Sequence, residues 1–492
     1  MASPLTTRLV ATVSFICLGS LQFGYHMAEL NSPEQLLSCR ASLPGNKPYK
    51  DTWYSQHGLV QCIPLTPEDI GVITCIFSLG GLIGSFFVGA ICDSIGRKKT
   101  ALGHCFIFFV GSTLNGFANS YWSLAIGRFI AGVGAGAALA IAPVFINEVA
   151  PRDIKGFLGS MNQVSVNVGI LLTQILALWW CNDNQWRNLL FMGSLLLLLN
   201  LVAVALFIEE LPLWLYNKGY FAQAYKVLHD IRGGEYLDAK NEVDSWAHHS
   251  STPINTSIEE ASGLLDPEAA LAEQISASPG TKGISLLQYL LDPEFHNSRL
   301  VSTGILIAQQ FCGINSIIFY GVSVLVSVFP AYAIFINCLI SILNVVVTFA
   351  AAPLVDKLGR KPLLLTSVTI MGILTVLMAF GILWTSAVLC IVGTFGFVGF
   401  FAIGLGPIPF LLVSEVTQPK AKAIAQSWGT SCNWFATGIV GFLFPLLKNS
   451  LGGGVYFIFT FFCVISFYFI KHYIPETKGG KSYDELWSSR LD

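Results

Sequence analysis

The sequence predicts an all-α membrane protein: twelve transmembrane helices in two six-helix bundles, joined by a cytosolic helical linker. Three observations carry this prediction. Hydrophobic residues make up 53% of the 492 and charged residues only 11%, whereas soluble chains hold about 25% charged residues. Mean hydropathy is +0.64. The apolar residues are also gathered into segments near the roughly 20 residues that cross a bilayer. Finally, the two halves of the chain repeat each other.

The apolar segments fall near 9–30, 68–91, 101–118, 122–147, 157–181, 188–208, 299–328, 330–353, 363–384, 387–413, 423–447 and 453–472. They define an N-terminal bundle at 1–208, a linker at 209–298, a C-terminal bundle at 299–472 and a short tail at 473–492. Basic residues mark alternate short loops: Arg97, Lys98 and Lys99, then Arg152 and Lys155, then Arg360 and Lys361, then Lys420 and Lys422. The intervening Asn119-Ser120-Tyr121 has none. Positive charge stays on the cytosolic side, so both termini are expected there, and 31–66 becomes the large outer loop. The first apolar segment is too long for a cleavable signal and lacks its small-residue cleavage site.

The repeat is specific. Asp93-Ser94-Ile95-Gly96-Arg97-Lys98 returns 263 residues later as Asp356-Lys357-Leu358-Gly359-Arg360-Lys361. Glu148 before Pro151 returns 267 residues later as Glu415 before Pro419, and Glu210 near Pro212 is echoed by Glu476 after Pro475. Near-equal offsets imply two homologous bundles. Positive-inside topology explains the arginines but not the recurrent acids. Asp93, Arg97, Glu148, Glu210, Asp356, Arg360, Glu415 and Glu476 are therefore expected to form a cytosolic gate, with pairs between the clusters latching the bundles.

Inside the seventh segment lies Gln309-Gln310-Phe311-Cys312-Gly313-Ile314-Asn315. Amides in a bilayer are costly unless satisfied, and uncharged amides suit a neutral ligand rich in hydroxyls. A single glutamine there reads as helix–helix glue; three amides around a glycine favour a binding site. On a straight helix Gln310 and Asn315 stand about 140° apart. If both meet one ligand, the helix must break, and Gly313 is the expected place.

Other features are limiting. A net charge of −2 favours no polyanionic partner such as nucleic acid. The 12 cysteines show no Cys-x-x-Cys pair and no metal spacing, so no metal or cofactor is implied. Cys39 and Cys62 share the polar outer loop and form a disulfide if it faces an oxidising compartment. No nucleophile–base pair or phosphate loop marks an enzyme. Residues 220–246 of the linker have helical patterning, while 250–283 are rich in Ser, Thr, Pro and Gly. Asn255-Thr256-Ser257 in that stretch is a formal glycosylation sequon, silent on a cytosolic segment. Glu260, Leu264 and Leu265 there form a candidate acidic dileucine signal for a sorting adaptor. It points to a vacuolar or lysosomal membrane, with the plasma membrane as the alternative.

These residues carry a family resemblance. Gly96-Arg97-Lys98, Gly127-Arg128, Glu148-Val149-Ala150-Pro151, Gln309-Gln310 with Gly313 and Asn315, Gly406-Pro407-Ile408-Pro409, Asn433-Trp434 and Pro475-Glu476-Thr477-Lys478-Gly479 together resemble the sugar porter family of the major facilitator superfamily. The resemblance covers nearly the whole chain. Gly19-Ser20-Leu21-Gln22-Phe23-Gly24-Tyr25 is similar to facilitative glucose transporters of animals, and the chain resembles a fungal relative of these. What the resemblance implies is transport of a hexose, such as D-glucose, by alternating access in a monomer. Its sugar contacts would be Gln163, Gln309, Gln310, Asn315, Asn344 and Asn433, with Trp434 offering an apolar face to the ring. The sequence departs from the family at Leu213, where an arginine is usual, at Phe410 for tryptophan, and at Thr437 for asparagine.

The resemblance also makes His26 pivotal. Proton-coupled members hold aspartate there and facilitative ones asparagine. Arg128 is expected nearby, its charge favouring a neutral imidazole and hence passive uniport. A His26 that gains a proton would instead serve proton coupling. A non-transporting sugar sensor on the same fold is the rival from another class, and the short tail weighs against it.

Overall fold

A computed structural model describes residues 6–45, 48–151, 154–233, 284–478 and 483–488. Among these residues ten stretches are long and apolar enough to cross a membrane. One of them, Lys422–Tyr473, holds two helices separated at Gly452–Gly454, and Arg97–Gly116 completes the twelve. That last helix opens on Arg97, Lys98 and Lys99 and contains His104, which dilutes its hydropathy.

Spans one to six are Thr7–Ala28, Pro67–Ile95, Arg97–Gly116, Tyr121–Val149, Lys155–Trp180 and Arg187–Phe207. Span seven is broken into His296–Phe311 and Ile314–Val326. Spans eight and nine are Ala333–Leu358 and Arg360–Leu383. Span ten is broken into Ala387–Ile403 and Ile408–Glu415, and spans eleven and twelve are Lys422–Leu451 and Val455–Tyr473. In the described part of the expected linker, Pro212–Asn217, Phe221–Arg232 and Leu286–Leu291 are helices; the rest of the helical patterning at 220–246 and the stretch 250–283 lie outside the described residues. The sequon at Asn255 and the dileucine candidate Glu260, Leu264 and Leu265 lie outside the described residues.

Local chemistry explains the boundaries. Thr66 caps span two in a reciprocal pair with Asp69, and Pro67 occupies the first turn, where its missing N–H costs nothing. Span four starts on a similar Ser120–Ser123 pair. Within the bilayer, small residues permit the close crossing of spans two and four: a side chain at Gly84 would strike the Val133 carbonyl, and one at Gly132 the Phe77 carbonyl.

The face that carries the linker and both termini holds the repeated charges, and their arrangement differs from the expected latch. Arg97 pairs with Asp93 (3.0 Å) and Glu148 (3.1 Å), both in its own half. Arg360 likewise pairs with Asp356 (3.1 Å) and Glu415 (2.7 Å) in the other. Glu210 accepts from the backbone N–H groups of Arg97 (2.6 Å) and Lys98 (3.2 Å), and Glu476 from those of Arg360 (2.9 Å) and Lys361 (3.0 Å). These carboxylates cap the orphan donors at the starts of spans three and nine. Each cap needs a glycine before it: Gly96 and Gly359 have φ of +100° and +95°, and a side chain at either would collide with its carboxylate.

One of these acids does cross the boundary. Asp356 Oδ2 accepts from the N–H of Phe157 at the start of span five (3.1 Å), and Gly156 leaves the room for it. This contact is a carboxylate on a helix N-terminus, where unpaired N–H groups need no counter-ion.

On the opposite, loop-bearing face, Cys39 and Cys62 are disulfide-bonded. The two halves also meet there: Asn31 donates to the Ile318 carbonyl (2.8 Å) and accepts from Val322 N–H (3.1 Å). At mid-depth Asn167 donates to Asn344 (3.0 Å) and Thr348 (2.8 Å). The halves therefore touch at both faces and in between.

Candidate sugar site at the boundary between the halves

Span seven breaks where the sequence places the break. Its first helix ends at Phe311, the second begins at Ile314, and Gly313 between them has φ +102°. The break turns Asn315 back, so that its amide donates to Gln310 Oε1 (2.6 Å). Gln310 in turn donates to Asn433 Oδ1 on span eleven (3.0 Å). Replacing Gly313 by alanine should cost about 1–3 kcal/mol for a side chain in this backbone region, with the Phe459 ring also in the way. The expected result is a lower Tm of the purified protein together with slower flux.

Gln309 also meets the backbone of span ten. Its Nε2 donates to the carbonyls of Leu405 and Gly406, both at 2.9 Å, where span ten is broken. Its Oε1 accepts from Asn433 (2.8 Å) and Gln310 (3.3 Å). All its capacity is spent. Gln309 satisfies the backbone carbonyls freed by the break in span ten, a need that bilayer burial makes obligatory, and Asn433 likewise donates to the Leu306 carbonyl (2.9 Å). Asn315 Oδ1 has no partner.

A second cluster lies on spans five and eight. Gln163 donates to Asn167 (3.1 Å), which bridges to Asn344. Trp434 is 1% exposed and packs edge-on to Phe23 and Phe77 at centroid distances of 5.3 and 5.5 Å. Its ring lies against Gly81 of span two, across the boundary, and its indole N–H is unpartnered. The predicted sugar contacts therefore form two amide groups beside one aromatic wall. Within these groups no side chain is charged.

His26 and Arg128 are both buried, but a third residue separates them. Glu29 accepts from Arg128 through one oxygen (2.7 Å) and meets His26 Nδ1 through the other (2.8 Å). Arg128 also donates to the His26 carbonyl (2.9 Å) and lies over the Phe77 ring at 4.1 Å. Arg128 is thus near His26, as expected, with the Glu29 carboxylate between guanidinium and imidazole. Sequence patterning gives little signal for Glu29, since an acid ending the first apolar segment reads as interfacial. Spacing alone would find it: at i+3 from His26 it shares a helical face.

Near the loop face, Glu34 is buried, with Oε1 on Arg40 (2.6 Å) and Oε2 unpartnered. Burial pushes its carboxyl above the usual carboxylate range, while Arg40 and, less strongly, Lys448 pull the other way. A cavity of about 60 Å³ beside it is lined from both halves, by Glu34, Arg40, Tyr320 and Lys448 among others.

A twelve-helix chain whose halves enclose neutral amides around broken helices is a membrane carrier of the major facilitator type. Residues 12–487 match the family model described as "Sugar (and other) transporter", and the chain belongs to that family, whose members are transporters rather than enzymes. It is 45% identical over 486 residues to the "Probable metabolite transport protein YBR241C" of Saccharomyces cerevisiae, covering 98% of this chain and 96% of that one. It is 38% identical to the yeast "Vacuolar protein sorting-associated protein 73", over 96% and 95% of the two chains. The human "Solute carrier family 2, facilitated glucose transporter member 4" is 30% identical, over 98% and 90%. Among solved structures, the proton:xylose symporter XylE of E. coli bound to 6-bromo-6-deoxy-D-glucose superposes with a TM-score of 0.74 at 22% identity, over 98% and 99%.

Proposed function

We propose that this protein carries a neutral hexose, D-glucose or a close relative, by alternating access as a facilitative uniporter. The observation that carries the reading is the Gln310–Asn315–Asn433 network, three hydrogen-bonded amides at the helix break of span seven. Each amide offers both a donor and an acceptor, which suits vicinal hydroxyls, and Trp434 suits the C–H face of a pyranose. Kinship with a facilitated glucose transporter supports the same substrate class. The termini and linker face the cytosol on the positive-inside argument. Kinship with a vacuolar sorting protein favours the vacuolar membrane over the plasma membrane. The protein acts as a monomer, each chain holding a complete site.

Passive transport follows from compensation. Glu29 meets Arg128 and His26 in one buried cluster, so no lone buried charge demands a proton. A second reading, proton coupling, draws on the same cluster, because a carboxylate beside an imidazole can hold a proton between them. Flux of radiolabelled hexose into proteoliposomes, with and without a pH gradient, separates the two. Equilibration indifferent to the gradient is the expected result. Accumulation that vanishes in Glu29→Gln would establish coupling. Binding without flux would replace the carrier with a sensor.

Glu34 predicts a pH effect from the loop side. Its carboxyl holds a proton more tightly while buried than when opening of the loop face exposes it. Protons therefore favour the shut form, increasingly as pH falls toward the ordinary carboxylate range. Initial rates from the loop side should drop as that side is made mildly acidic. Glu34→Gln, a permanent mimic of the neutral acid, should be slow at every pH.

A further inference from the structure

A second polar chamber lies on the loop side of the amide clusters; it shares Asn344 with them, while Gln174, Asn337 and Ser341 in its wall have no role so far. Its volume is about 20 Å³, and Asn31, Gln174, Asn337, Ser341 and Asn344 supply its polar wall. The rest of the wall is aliphatic, chiefly isoleucine from spans five, seven and eight. Gln174 stands seven residues beyond Asn167 on span five, and Asn337 seven before Asn344 on span eight. Seven residues are almost two turns, so both keep the face of the residues they follow and lie about 10 Å nearer the loop face.

Gln174 is fully buried. Its Oε1 accepts from Ser32 (2.7 Å), yet its Nε2 has no partner. An unpaired buried amide of this kind calls for an explanation, and the surrounding chemistry limits what it can be. No charged residue lines the chamber, so it offers no counter-charge to an ion. Amides and a hydroxyl set among isoleucines suit a ligand with hydroxyl edges and C–H faces.

The present volume holds about one water and no sugar. Asn31 in its wall joins the halves, its amide spent on Ile318 and Val322 of the other half. Parting of the halves at the loop face breaks those two bonds. It widens the chamber and frees the Asn31 amide to join Gln174 at the same moment.

We infer that Gln174, Asn31, Asn337 and Ser341 form an entry subsite for the hexose, occupied from the loop side before the sugar reaches Gln310, Asn315 and Asn433. The inference rests on the hexose reading above. It makes the protein asymmetric: sugar arriving from the loop face meets Gln174 first, and sugar arriving from the linker face meets the central amides first.

The test is hexose flux in proteoliposomes with the protein inserted in one orientation, starting from each side in turn. Gln174→Leu removes one hydrogen bond at nearly constant volume. The half-saturation concentration from the loop side should rise about tenfold, the equivalent of about 1.4 kcal/mol. From the linker side it should stay within twofold, with the ratio of the two maximal rates shifting to match, as a passive carrier requires. Should Gln174→Leu fold poorly, Asn337→Ala and Ser341→Ala are expected to give the same one-sided effect at a few-fold. Equal rises on both sides, or no rise on either, in all the variants that fold overturn the entry subsite. Failure of the wild type to bind or carry any hexose overturns the underlying reading instead, and is seen before any variant is made.

Discussion

Gln310→Leu is expected to weaken hexose binding about 100-fold and to abolish measurable flux at ordinary sugar concentrations. Leucine keeps the volume of the side chain but removes a donor and an acceptor facing the sugar hydroxyls. Two hydrogen bonds lost at about 1–1.5 kcal/mol each amount to two decades of affinity. It also strips Asn315 Nδ2 of its acceptor and Asn433 Oδ1 of its donor, so the central amides lose their alignment. Equilibrium binding by calorimetry and flux in proteoliposomes read the two effects separately. Unchanged affinity in folded Gln310→Leu would remove this network from the sugar site. Gln309→Leu provides the contrast: it frees the Leu405 and Gly406 carbonyls inside the membrane, so its loss should appear first in thermal stability.

The contrast between these neighbours shows where sequence reasoning reaches and where it stops. That span seven breaks at Gly313 is legible, because Gln310 and Asn315 cannot share a site on a straight helix and only glycine tolerates the conformation needed. That Gln309 serves the break in span ten is not legible, since its partners lie 96 and 97 residues away and are backbone groups. The charged repeats behave in the same way. Their recurrence gives the two homologous halves and places Glu210 and Glu476 at corresponding positions. Periodicity cannot say whether a carboxylate meets an arginine or a helix N-terminus, and both lie at the same end of the same spans. The acid that crosses the boundary, Asp356, does so because Gly156 leaves it space, and that space exists only once spans five and eight are packed.

Arg128→Met should be the most destabilising single change among the residues considered, because it leaves the Glu29 carboxylate inside the protein with only His26 beside it. Glu29 is wholly buried and Arg128 is 1% exposed. Removing one partner of a buried pair costs about 3–5 kcal/mol, most of it the penalty of the charge left behind. The expected result is poor recovery of folded protein and a lower Tm. The companion Glu29→Gln/Arg128→Met removes both charges and should restore much of the loss, since the pair itself contributes little net stability once its desolvation is counted. Thermal unfolding of the two variants decides whether the cluster is a compensated pair. If the double change is as damaging as the single, Arg128 acts through the His26 carbonyl and the Phe77 ring instead. Compensation also bears on transport: a double variant that still equilibrates hexose would show that neither charge is required for the sugar to move, as uniport demands. A proton-coupled carrier would lose its coupling with Glu29 and retain at most passive exchange.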